Sequence, residues 1–433
     1  MDKKCRSLGY LETFTALLHD NCYASLIFGS LSTFHGDLDK QLIQKTLSLL
    51  QERHLNLRVK LYKNNEEKYK FTFYTDEKDF SLKIIDDNNP QLANSILEKE
   101  MNTPFNLEKF LWRCIICYGG SGKSAMHSIV TVFHHSIADG TSAARFTEDF
   151  LYILSCLTKN KHIDLANLPI LNCIESNTTK QISWEEYLQR ELDNNDLNFK
   201  QTTWTYNHKA KLNERKTVVI PKSLEADFVL RLKNKSKKEK VTINATLNAA
   251  VFMTFQRLNK EKNDISLNMP TPVNLRVYCD PIINWDNIGN FVLWLPVPVS
   301  GKKESTFWDI ARLYNKNFLI SLEKNGYNPA ECDEHYMLDN IISGFDCKDQ
   351  TPIMFSTITN LGIVKFSNNY APFILDTFNF TVSQLGGGLA VAIACSTVNG
   401  IMHLNFSYTD PLIDRCWIEQ FIDDFFISLR GSI

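Results

Sequence analysis

The residues best placed to do chemistry lie between Ser128 and Ser142, where Phe133 is followed by His134-His135-Ser136-Ile137-Ala138-Asp139-Gly140-Thr141-Ser142. An imidazole near its ordinary pKa takes a proton from a hydroxyl or amine and returns it to a leaving group. Gly140 lets another chain or a substrate approach the backbone closely. Thr141 or Ser142 can cap a following helix, whose first N–H groups then lie near the histidines. Asp139 has two readings: it touches the imidazole as in a triad, or it pairs elsewhere and holds the loop.

Rigid elements must position these groups. An apolar run from Ser128 to Phe133 predicts a strand, and Ala143, Phe146, Phe150, Leu151 and Leu154 recur at helical spacing. The histidines therefore sit on a short strand-to-helix connection, where catalytic groups are often placed. Spacing alone is weak evidence, because His35…Asp39 and His335…Asp339 show the same HxxxD interval. The first straddles a turn and a helix start, and the second suits an ordinary helical i,i+4 pair. Only the copy at His135 has the doubled His, the trailing Gly, the strand before and the helix after.

The stretch His134-His135-Ser-Ile-Ala-Asp139-Gly140 resembles the HHxxxDG motif of the CoA-dependent acyltransferase superfamily. That group includes chloramphenicol acetyltransferase, alcohol acetyltransferases, dimycocerosyl transferases and the condensation domains of nonribosomal peptide synthetases. The resemblance extends along the chain. Arg53-His54-Leu55-Asn56-Leu57-Arg58 looks like its RHxxLR segment, with Leu55 replacing the usual proline. Leu267 to Arg276, Asn287 to Phe291, Thr359-Asn360-Leu361-Gly362, and Gly386 to Tyr408 are similar to its later strands. Nothing matches the plant branch's DFGWG segment, which favours the bacterial and fungal branches.

The resemblance implies an α/β fold of two chloramphenicol-acetyltransferase-like sandwich domains, 1–172 and 173–433, set in a V with a tunnel between them. It implies transfer of an acyl group from a pantetheine thioester, acyl-CoA or an acyl-carrier protein, to a hydroxyl or amine. His135 is then the base, with Asp139 and Gly140 at the site, His134 and Arg276 structural, and Asn360, Gly362, Ser383 and Gln384 on the substrate. Asp139 would pair with Arg276 to shape the loop. No bound cofactor or metal is implied. The alternatives are a stand-alone condensation enzyme forming an amide and a non-catalytic scaffold relative; an intact motif argues against the scaffold.

Composition agrees with this class. A chain of 433 residues with 44% hydrophobic content suits two packed cores. The net charge of -2 gives no reason to expect nucleic acid. The 11 cysteines are scattered. Cys114 and Cys117 form a CxxC in a strand-like run, where alternation points them to opposite faces; they read as packing residues in a reducing compartment. The start lacks an apolar signal region, and Leu389 to Cys395 is too short to span a bilayer. A cytoplasmic monomer is expected.

Further segments complete the reading. Strands are expected at Ser25–Leu31, Leu55–Leu61, Trp112–Tyr118 and Thr217–Ile220. Helices are expected from Asp37 to about Leu50, Pro90 to Met101, Ser223 to Leu232, Thr242 to Leu258 and Asp414 to Leu429. Residues 159–198 read as a linker with a short helix at 184–192. Gly119 to Ser124 mimics a P-loop, but Walker A needs Gly where Cys117 stands, and the stretch joins two strands. The run Lys233 to Lys240 reads first as a solvated loop and second as a carrier or CoA-phosphate contact. Cys332-Asp333-Glu334-His335 has no second ligand group at zinc spacing.

Overall fold

The computed structural model describes residues 4–22, 25–64, 68–74, 80–87, 89–178, 181–183, 185–186, 189, 201–202, 204, 206–258, 264–325, 328–329, 333–341, 354–367, 370–386 and 388–433. In chain order the strands are β1 (Lys4–Ser7), β2 (Ile27–His35), β3 (Val59–Lys63), β4 (Tyr69–Phe73), β5 (Ser81–Ile85), β6 (Trp112–Cys117), β7 (Met126–His134), β8 (Gln181–Ile182), β9 (Lys216–Leu224), β10 (Ile265–Asn268), β11 (Thr271–Asn274), β12 (Val292–Leu295), β13 (Pro298–Gly301), β14 (Asn328–Pro329), β15 (Met354–Ile363), β16 (Ile374–Val382), β17 (Leu389–Val398) and β18 (Ile401–Asp410). The longer helices are α1 (Tyr10–Asn21), α2 (Lys40–Arg53), α3 (Pro90–Met101), α4 (Gly140–Thr158), α5 (Ala226–Lys238), α6 (Ile243–Leu258), α7 (Phe307–Asn325) and α8 (Arg415–Arg430).

Two mixed sheets organise the chain, in the orders β16-β2-β7-β6-β5 and β15-β17-β18-β9. Each has its own apolar core. Around the first, Phe28, Phe34, Trp112, Phe133, Phe146 and Phe150 pack with α2 and α4 on one face. Ile27, Val130 and Val132 meet Leu97 and Met101 of α3 on the other. The second core joins α6 and α8 to β17 and β18. The fold is thus α/β with two sheet-and-helix units. The first sheet is completed from far along the chain: β16 pairs antiparallel with β2, Val382 opposite Phe28.

Local chemistry explains most boundaries. Asn89 caps α3 by accepting from the Gln91 N–H, and Pro90 opens the helix. Helix α2 starts later than Asp37, because Asp39 accepts from Gln41 N while Asp37 accepts from Gly122 N in the β6–β7 turn. That turn is the Gly119–Ser124 stretch, which joins two strands. The expected strand at Leu55 begins with a 3-10 turn, Leu55–Arg58, before β3. The expected helix at Ser223 starts at Ala226, and its last turns run into the lysine-rich segment, so Lys233 to Lys238 are helical and not a loop. The helix expected at 184–192 lies largely outside the described residues, as does Cys332.

Cys114 and Cys117 belong to different apolar clusters on opposite faces of the first sheet. Both are free thiols, and burial pushes each pKa up, Cys117 to about 11. The two halves are also stitched at the edge of the second sheet. The Asn102 carboxamide donates to Thr217 O at 2.8 Å and accepts from Thr217 N at 2.7 Å. It thereby covers edge strand β9 as a neighbouring strand would. No described helix is long and apolar enough to cross a membrane.

Candidate active site

Strand β7 delivers His134 as its last residue, paired with Ile27 of β2. Successive side chains of a strand point to opposite faces, so the two imidazoles part company. His134 is 1% exposed. Its ring lies 4.7 Å from that of His19 and 6.1 Å from that of Phe105. Ser136 N donates to His134 Nδ1 at 3.2 Å, and Ser136 Oγ lies 2.7 Å from the same atom. Nδ1 is therefore the acceptor, and the neutral ring carries its proton on Nε2. Burial holds its pKa well below the ordinary histidine value, and the fields of His19 and His135 add to that.

His135 is only partly buried and turns toward Phe28, 5.6 Å away between ring centroids. Burial lowers its pKa; the backbone of His135 and Ala138 and the Asp139 charge oppose the shift. Asp139 stands elsewhere. It caps α4, accepting from Ser142 N and Ser142 Oγ, each at 2.8 Å. Arg276, from the turn after β11, grips both of its oxygens at 2.7 and 3.1 Å, and Phe291 N donates to Oδ2 at 3.2 Å. Asp139 and Arg276 are both 0% exposed. Arg276 also donates to Ser142 Oγ and Asn287 O and lies 4.3 Å over the Phe291 ring. Of the two geometries open to Asp139, the structure has the arginine pair. That pair and the helix-start hydrogen bonds hold its carboxyl below the usual carboxylate range despite burial.

Of the other residues singled out in the sequence, Gly140, Asn360 and Gly362 are half-buried, and Ser383 and Gln384 are buried. Gly140 opens α4, and the space a side chain would take there is bounded by Leu361 and Phe380. The close approach that Gly140 permits is thus made by another part of the chain. Asn360 spends its carbonyl oxygen on Gly362 N at 2.8 Å. Ser383 Oγ accepts from Ile27 N at 2.9 Å, tying β16 to the strand beside the histidines. Gln384 donates to Ser407 O, while its N–H reaches Thr217 Oγ1 at 3.0 Å. The other HxxxD copies do ordinary work: Asp39 caps α2, and His335 lies in the turn Glu334–Tyr336 capped by Asp333.

Two groups escaped the sequence reading. His19, on α1, accepts from Phe105 N at 3.1 Å and packs its ring against that of His134 at a tilt of 51°. Asp149, later in α4, accepts from Arg53 Nε at 2.9 Å, contacts His54 Nε2 at 2.7 Å and pairs with Arg145. The Arg53-His54 pair was visible in the sequence; its carboxylate partner was not.

The Condensation domain family model matches residues 18–430, and the chain belongs to that family, within the CoA-dependent acyltransferase superfamily. Its fold is that of two-lobed condensation-type proteins. TRI3 trichothecene 15-O-acetyltransferase from Fusarium sporotrichioides superposes with a TM-score of 0.76 at 14% identity, covering 99% of this chain and 95% of that one. The first condensation domain of the CDA synthetase gives 0.72 at 12% identity, covering 99% and 96%. The epimerization domain from the third module of tyrocidine synthetase B gives 0.70 at 14% identity, covering 100% and 96%. No curated protein sequence matches the chain significantly. Membership in this family supports a transferase-type function.

Proposed function

We propose that the protein moves an acyl group from a pantetheine thioester, acyl-CoA or an acyl-carrier protein, to a hydroxyl or amine, with His135 as general base. The observation that carries this is the state of the two histidines. His134 is sealed and engaged, whereas His135 is partly exposed with no side chain hydrogen-bonded to its ring among the described residues. Asp139 and Arg276, one from each half of the chain, hold the loop between them. The site thus lies where the halves meet, which suits a tunnel in a V, with donor and acceptor entering from opposite mouths.

In this reading His135 takes the acceptor's proton as the acceptor oxygen or nitrogen adds to the thioester carbonyl. The tetrahedral intermediate then expels the thiolate, which receives the proton back from His135. Gly140 opens the helix, so its N–H has no intrahelical acceptor and is free for the oxyanion. Transfer is direct. Ser142 Oγ is bound to Asp139 and Gly289, and Ser136 Oγ is buried against His134. The likeness to the CDA synthetase domain supports a second reading, amide formation between carrier-bound partners, which differs in substrates and not in site chemistry. Incubation with a panel of acyl-CoAs and acyl-carrier proteins, plus alcohol and amine acceptors, tests both by free-thiol release. Release above the uncatalysed rate from at least one donor is expected. Its absence from all of them contradicts the proposal.

A further inference from the structure

His134 is hydrogen-bonded at one edge only. Ser136 engages Nδ1, whereas Nε2, which carries the proton, finds no hydrogen-bond partner among the described residues. A ring anchored at one atom can still rock about it, so packing must fix the far edge. Two rings do this. The His19 ring lies against it, 4.7 Å away, and the Phe105 ring meets it edge-on at 6.1 Å. Phe105 is backed in turn by the Arg113 guanidinium, 4.1 Å from its ring. One peptide bond joins His134 to His135, so a turn of the first ring shifts the backbone that aims the second. A catalytic side chain stays in its productive geometry only when its supports are themselves locked.

His19 is locked at both nitrogens. It sits near the end of α1 and is buried. Its Nε2 accepts from Phe105 N at 3.1 Å, which puts the proton on Nδ1, and Nδ1 faces Asp20 Oδ1 at 3.5 Å. The other oxygen of Asp20 accepts from the Tyr69 hydroxyl on β4. The ring cannot flip without giving up these partners. Two tasks therefore meet in one side chain. Its nitrogen satisfies the buried Phe105 N–H in the segment before β6, and its ring bears on His134. Chemistry can separate them. A phenylalanine at this position keeps a ring but leaves the Phe105 N–H without an acceptor, whereas a glutamine supplies an acceptor oxygen and no ring.

We propose that His19 is a positioning residue for the proton transfer: its ring fixes the orientation of His134 and, through the chain, that of His135. The inference rests on the general-base reading of His135 above. The test measures kcat, KM and a denaturant melt for the full-length wild type, His19→Gln and His19→Phe, using the acyl-CoA or acyl-carrier donor and the acceptor that the panel above ranks fastest. His19→Gln keeps the acceptor and should melt near the wild type. Its kcat should nevertheless fall about 10²-fold, the scale of a misplacement of about 1 Å, with KM for both substrates little changed. His19→Phe keeps the ring and should melt lower, while its folded fraction retains near-normal kcat. In a His135→Ala background the His19→Gln change should lower kcat no further, because residues that act as one unit are not additive. Wild-type kcat in folded His19→Gln, an equal loss in folded His19→Phe, or an undiminished loss in the His135→Ala background would each overturn the inference while leaving the role of His135 intact. Wild-type turnover in His135→Ala alone, or no thiol release from any donor, contradicts the general-base reading itself, and this inference falls with it.

Discussion

Helix α4 carries two buried carboxylates, and their surroundings differ in a way that separates holding a site from holding a fold. Asp139, at the helix start, is gripped by Arg276 from the other half of the chain. Asp149, in the middle of the helix, is gripped by Arg53, His54 and Arg145, all from its own half. The second cluster staples α2 to α4, and only its rim reaches across, where Arg145 and Arg53 meet the half-exposed Asp286. The first cluster fixes the residues between His135 and the helix. A carboxylate inside a catalytic-looking motif is therefore not by that fact a catalytic group; the partner it keeps decides.

Removing either partner of the Asp139–Arg276 pair should have the largest effect on stability. Asp139→Ala or Arg276→Ala should cost about 3–5 kcal/mol in a denaturant melt, because each leaves a buried charge alone. Activity should fall in the folded fraction as well, since the loop is released. Asp149→Ala should also destabilise, by leaving two buried or half-buried arginines and a histidine without their anion, yet its folded fraction should keep near-normal kcat. Asp139→Asn sharpens the contrast. It keeps an N-cap, worth about 1 kcal/mol, and loses the ion pair. If Asp139→Ala melted like the wild type but lost turnover, a direct role on the imidazole would replace the structural one.

The same pair makes a prediction about pH. Both carboxylates are held below the usual range, Asp139 chiefly against burial by Arg276 and Asp149 by His54 and the arginines. A lowered carboxylate contributes stability that is full above its unfolded value, about 3.9, and is lost as pH falls through the folded value. Stability should therefore hold through mildly acid conditions and fall steeply below about pH 4. Catalysis should tolerate acid likewise. The His135 pKa is lowered, so the neutral base persists below about 6.5 and the acid limb of kcat/KM should lie under that value. An acid limb above 7 would contradict the assignment.

A third buried acid sets the smallest effect and the opposite sign. Glu175 accepts from Leu11 N at 2.7 Å, its Oε2 finds no hydrogen-bond partner among the described residues, and it lies near Glu12, whose carboxylate already occupies Arg6. Burial and Glu12 push its pKa up to about 7. A raised carboxylate favours the fold at low pH and loses that contribution as pH rises through the folded value. Glu175→Gln should therefore raise Tm by several degrees at pH 8 and change it little at pH 5. Equal shifts at both would show that Glu175 is not the titrating group.

What the sequence disclosed follows from what is local. The strand, the doubled His, the Asp and the helix of the motif are contiguous, and short-range periodicity was enough to read them. Arg276 became legible only through the family resemblance, since it pairs with a residue far along the chain. Helix α1 was missed although Leu11, Phe14, Leu17 and Leu18 recur at helical spacing: Gly9 supplies no capping side chain, and Thr13 and Thr15 weaken the helical signal. The insertion of β16 beside β2 was not legible, because nothing in either strand names its partner. Asn360 and Gly362, expected to face substrate, hydrogen-bond to each other at the register slip in β15, a local arrangement that the sequence pattern does not announce.

The central claim is that His135, and not its sealed neighbour, moves the proton. The direct test is kcat of folded His135→Ala with a donor and acceptor that the wild type uses. The account predicts a fall of roughly 10²–10⁴-fold, the span of a positioned general base, with intact-mass spectra of the wild type showing no acyl adduct after donor alone. Turnover of His135→Ala near that of the wild type would contradict it.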